Sequence, residues 1–125
     1  MADNFGTRAL GRVYEGGKFY SVPTVDVPAN TIYFPKATTA PTTANFGVAE
    51  YPVKAGELGA FAKVGTFAFP KPNGWTDNDG RAVYYKPTSR IAGTLLAASE
   101  SGATVIGKEV VVPGKPDDQL WVCFG

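Results

Sequence analysis

The chain has 125 residues, a size for one domain with a hydrophobic core of its own. Its 44% hydrophobic and 18% charged composition argues against disorder. A formal net charge of +1, from 12 basic and 11 acidic residues, points to neither a nucleic-acid partner nor an acidic solvating tail.

The first 17 residues, "MADNFGTRALGRVYEGG", are mixed and close on Gly16-Gly17. They lack the basic-then-apolar order of a secretory signal and read as an N-terminal arm, 1–17, ahead of a β-rich domain, 18–125. No apolar run anywhere is long enough to span a membrane. The default expectation is a chain that folds in a reducing cytoplasm. Along the chain, 15 glycines and 10 prolines break the sequence so often that the longest stretches free of both, 94–101 and 117–124, hold eight residues. Helices run longer and exclude proline from their interiors, so many short strands are predicted.

In chain order, Val27-Pro28-Ala29-Asn30 is a turn, and 36–45, "KATTAPTTAN", is an exposed loop. Val53-Lys54-Ala55-Gly56 repeats the first turn's chemistry. The tripeptide "FPK" occurs at 34–36 and 69–71, which convergent turn chemistry explains without an internal repeat. "TFAFP" places Phe67 and Phe69 on one strand face. "KPNGWTDNDG", 71–80, is a second loop, with an exposed-looking Trp75. "RAVYYK" sets Val83 and Tyr85 against Ala82 and Tyr84. The segment 88–102 suits either a short strand or a helical turn or two. "KEVVVP" reads as a strand covered on both faces, and Val112-Pro113-Gly114 as a turn. "QLWVCF" puts Leu120, Val122 and Phe124 on one face and Trp121 and Cys123 on the other. The expected fold is all-β, a small β-barrel or β-sandwich, with Val83, Phe67, Phe69, Leu120, Val122 and Phe124 in the core.

Motifs for chemistry fail on inspection. Gly102, Gly107 and Lys108 have the spacing of a phosphate-binding loop, but Glu109 follows the lysine where Ser or Thr belongs. Val110 to Pro113 then reads as strand and starts no helix, so oriented amides are missing. A tight turn at Gly102 and a bend or bulge at Gly107 account for the glycines. "DNDG", 77–80, resembles part of a calcium loop, but Trp75 and Lys86 fall where carboxylates belong. Cys123 is the single cysteine, so no internal disulfide forms, and with no histidine in the chain it has no ordinary base. Tyr84, Tyr85 and Trp121 could form a stacking platform, but no basic stripe accompanies them. No catalytic, cofactor-binding or metal-binding residue is assigned, and an enzyme is not expected.

Read as a set, Phe46-Gly47-Val48-Ala49, Ala55-Gly56-Glu57, "VGTFAFPK" at 64–71, "DGRAVYY" at 79–85 and Ile106-Gly107-Lys108 precede an apolar C-terminal strand. Their order and spacing over roughly residues 20–124 resemble the capsid cement, or decoration, proteins of tailed bacteriophages. The resemblance implies a β-barrel or β-sandwich protein made in the host cytoplasm, which coats the outer capsid surface of the virion. It implies a major capsid protein as partner, a homotrimer or else a dimer, no cofactor, no nucleic acid and no membrane. The alternative reading is a carbohydrate-binding or adhesin-like β-module, motivated by Trp75 and the tyrosines. In the arm, Phe5, Arg8, Leu10, Arg12, Val13 and Tyr14 are the candidate partner contacts, since arginine and aromatic residues concentrate at interface hot spots. The four glycines there disfavour a free helix and leave strand addition to a neighbour's sheet edge as an available mode.

Overall fold

A computed structural model of the protein describes residues 17–35 and 46–125. Within them are nine strands and no helix: β1 (Lys18–Ser21), β2 (Thr31–Tyr33), β3 (Gly47–Ala49), β4 (Gly59–Ala62), β5 (Gly65–Pro70), β6 (Ala82–Pro87), β7 (Gly93–Leu96), β8 (Thr104–Val110) and β9 (Gln119–Phe124). They form two antiparallel sheets, ordered β1-β4-β3-β2 and β5-β9-β8-β6-β7. One sheet curls into a half-barrel, so the all-β expectation holds. The ambiguous segment 88–102 resolves as strand, because β7 pairs with β6 from Pro87↔Gly93 to Tyr84↔Leu96.

Period-two patterning sets the layers. Phe69 pairs with Leu120 and Phe67 with Val122, so these side chains share the inner face of the second sheet. There they join Val83, Tyr85, Ile106 and Phe124 and meet Ile32, Phe34 and Val48 from the first sheet. Leu120, Val122 and Val83 are fully buried, whereas Phe67 is only half-buried. Phe124 anchors the cluster through an edge-to-face contact with Phe67 at 5.6 Å.

The first sheet is also covered on its other face. Ile32 and Val48 point to the shared core, while Tyr33, Ala49 and Phe61 belong to a second cluster with Val27 and Val53. Tyr33 and Phe61 stack there with centroids 4.6 Å apart. The cover comes from the two turns with matching chemistry. Val27 and Val53 form an antiparallel bridge, their amides and carbonyls exchanging hydrogen bonds of 2.8 and 2.9 Å. Asp26 Oδ1 accepts from the Ala55 amide at 2.9 Å. Asn30 and Gly56 both take positive φ, at 62° and 85°, as turns of this kind require.

The bulge expected near Gly107 is present. Val83 faces Gly107 and Tyr84 faces Val105, so Ile106 is the extra residue on β8. A Cβ on Gly107 would lie 2.2 Å from the Cys123 carbonyl oxygen, so only glycine permits β8 to approach β9 this closely. Gly102 turns with φ 83°.

One expectation is corrected. "KEVVVP" does not form a strand throughout: β8 ends at Val110, and Val112 is exposed. The Val111 amide donates to Asp79 Oδ1 at 2.9 Å, and Pro113 has no amide hydrogen to continue a ladder. The residue buried in this run is Glu109, 1% exposed.

Candidate functional site

Glu109 pairs with Val122 across the β8–β9 ladder and so projects from the inner, core-facing side of the sheet. A buried carboxylate is stable only when its oxygens are satisfied. Here Oε1 accepts from Arg81 Nη2 at 3.1 Å and Oε2 from the Trp75 indole N–H at 3.1 Å. The Arg81 guanidinium lies 4.9 Å from the Trp75 ring centre and donates to the Thr76 carbonyl at 2.6 Å. Trp75 is therefore half-buried and turned inward, which corrects its reading as an exposed ring.

A second clamp holds the same 71–80 loop. Asp77 receives Lys71 Nζ at 2.9 Å on one oxygen and Lys115 Nζ at 3.5 Å on the other. The Lys115 ammonium also donates to the carbonyls of Pro116 and Gln119, at 3.0 and 2.6 Å. The Lys71 hydrogen bond, with further help from Lys115, holds the Asp77 carboxyl below the usual carboxylate range against a smaller desolvation effect. A general acid requires the opposite direction. Asp77 and Asp79 are thus both engaged within the protein, and among the described residues no group of acidic or sulfur side chains gathers at metal-ligand distance. The resemblance of 77–80 to a calcium loop is turn chemistry, with Gly80 at φ 81°.

The surface carries two apolar features. On the first sheet, Tyr20 pairs with Ala60, and Val22 and Leu58 lie just beyond the Ser21↔Gly59 pair, 53% and 70% exposed. The larger feature is the outward face of the second sheet. Ala68, Trp121 and Val110 stand in one cross-strand row, and Thr66, Cys123, Lys108 and Ala82 in the next. Beyond the bulge, Val105, Tyr84 and Leu96 form a third row. An antiparallel sheet with one solvated face ordinarily alternates apolar-in with polar-out. This one is mostly apolar on both sides.

The aromatic pair splits accordingly. Tyr85 enters the core and stacks on Phe34 at 5.7 Å, and burial raises its phenol pKa. Tyr84 and Trp121 lie on the outward face, half-buried by their neighbours, and the Trp121 indole donates to Gln119 Oε1 at 2.8 Å. Tyr84, Tyr85 and Trp121 therefore do not form one stacking platform. The arm residues Phe5, Arg8, Leu10, Arg12, Val13 and Tyr14 lie outside the described residues, as does the whole 36–45 loop. The outward sheet face was missed as a site in the sequence, although its signal was present. In "RAVYYK" and "QLWVCF" both alternating sets are apolar or aromatic, and only one set can face the core.

A two-sheet β-domain with tied-down loops and broad apolar outer surfaces has the make-up of a structural or binding domain. The chain matches the family model described as phage cement protein over residues 15–123, and it belongs to that family. Membership associates it with the phage capsid in a structural role. No curated protein and no solved structure matches the chain.

Proposed function

We propose that the chain binds the outer surface of an assembled phage capsid, with the major capsid protein as its partner, and stabilises the shell by bridging neighbouring subunits. The observation that carries this reading is the family match across residues 15–123, nearly the whole described domain. The physics is that of linked contacts. A subunit touching two neighbours at once converts the second contact into an intramolecular one, so modest interfaces sum to firm attachment. A ligand that binds the closed shell and not its separated parts stabilises the shell by mass action. Self-association into a trimer, or else a dimer, would multiply those contacts, and the exposed Tyr20, Val22 and Leu58 supply apolar area for it. The role calls for no catalysis and no cofactor. Synthesis in the host cytoplasm followed by attachment to the virion completes the reading.

The test is addition of purified protein to capsids lacking it. Saturable co-sedimentation at a fixed ratio to the major capsid protein, with a higher temperature of DNA release, is the expected outcome. Absence of binding to capsids that bind the same protein when it is expressed during assembly would restrict attachment to assembly intermediates. Absence in both settings would refute the reading.

A further inference from the structure

The two sheets are finished differently. The first is covered on both faces at its centre, its outer side capped by the Val27–Val53 ribbon, with exposed residues such as Tyr20 along its β1 edge. The second has no covering layer among the described residues, yet its outward positions include Ala68, Trp121, Val110, Ala82, Tyr84 and Leu96. Five strands at the usual spacing give this face a width of roughly 19 Å across the strands.

Its charge is one-sided. The outward positions hold Lys108 and Lys86 and no carboxylate. Lys86 is paired at the rim with Glu100 at 3.1 Å, whereas Lys108 has no ion-pair partner among the described residues. Lys108 stands directly between Cys123 and Ala82 in the middle row. Beside it the β8 bulge leaves a hollow of about 340 Å³, lined by Val105, Gly107, Lys108, Cys123 and Ala82.

We propose that this face is the surface that seats on the capsid, and that the capsid presents to it an apolar patch carrying a carboxylate for Lys108. The assignment rests on the cement reading above. Charge selects the occupant. A second copy laid face to face would bring lysine-bearing, carboxylate-free surfaces together and leave both Lys108 ammonium groups desolvated without a counter-charge, which is costly. A partner with an acidic group removes that cost. An apolar side chain of the same partner fills the hollow at the bulge.

Cys123 is exposed, lies on this face and is the single cysteine of the chain, so it reports on the face without any mutation. The experiment measures its reaction with a bulky maleimide in the free protein and in decorated capsids. Expected are ready labelling of the free protein and strong protection on the capsid. Val105→Glu and Lys108→Glu, both at exposed positions of β8, should each weaken capsid binding by tenfold or more, about 1.4 kcal/mol. Equal labelling in both states, or unchanged binding of both variants, would mean that the capsid is met elsewhere and overturns the proposal. Protection already in the free protein would show that the face is covered before the capsid is met, and also overturns the proposal. Failure of the unaltered chain to bind capsids at all would instead refute the cement reading, and this assignment with it.

Discussion

Removing the Glu109 carboxylate tests how the 71–81 loop is held. The side chain is 0% exposed and accepts two hydrogen bonds, one from a cation, while Arg81 is 25% exposed. Glu109→Ala deletes both bonds, opens a small cavity and leaves the Arg81 guanidinium without its counter-charge. Breaking a buried pair in this way costs about 3–5 kcal/mol. Partial solvent access to Arg81 lets water replace some of the loss, so about 3 kcal/mol is expected here. The paired change Glu109→Leu with Arg81→Met removes both charges and supplies apolar volume. Such replacements are often neutral or stabilising by about 1–4 kcal/mol, so this double variant should be more stable than Glu109→Ala. Urea denaturation of the wild type, Glu109→Leu, Arg81→Met and the double gives the coupling through a double-mutant cycle, with Glu109→Ala measured beside them. In a Trp121→Phe background, Trp75 fluorescence reports the loop separately, because its indole loses its acceptor when Glu109 is replaced. A Glu109→Ala variant within about 1 kcal/mol of wild type would refute the argument, since the lower bound for a broken buried pair is well above that. So would a double variant less stable than the alanine variant.

Leu120→Ala should cost about 2–5 kcal/mol by denaturant titration, because Leu120 is fully buried between the sheets. Gly107→Ala places a methyl 2.2 Å from the Cys123 backbone oxygen, which no rotamer change relieves, so a loss at or above the upper end of about 1–3 kcal/mol is expected. Gly74→Ala, in open space but at φ 78°, should instead cost only about 1–2 kcal/mol. Asp77 titrates below the ordinary carboxylate range because Lys71 and Lys115 hold its anion. Its stabilising contribution is therefore complete above the unfolded-state pKa and disappears as pH falls through the lower folded-state value. The stability of Asp77→Asn should show less acid dependence than wild type across that interval, and parallel pH profiles would contradict the assignment.

The strand content was legible because it rests on local chemistry. Proline and glycine every few residues forbid long helices, and alternation in "TFAFP" and "QLWVCF" needs no tertiary knowledge to name Phe69, Leu120, Val122 and Phe124 as one face. The turns at Asn30 and Gly56 were equally local, since positive φ selects their residue types. Other features depend on partners distant in sequence. That the 27–30 and 53–56 turns bridge each other and close a second core follows from how β1 and β4 pair, which neither turn encodes alone. Glu109 stood in an apolar run with no assigned role, because its burial depends on Arg81, 28 residues away, and Trp75, 34 residues away. "KEVVVP" ended early because Asp79 takes the Val111 amide. The outward face of the second sheet shows the division most clearly. Sequence alternation places Trp121 and Cys123 opposite the core residues of β9, but their rows with Ala68 and Val110 and with Lys108 and Ala82 exist only once four strands are in register. A strand's own residues set which side chains share a face. Which faces lie side by side, and whether another layer covers them, is decided by long-range hydrogen bonding between strands.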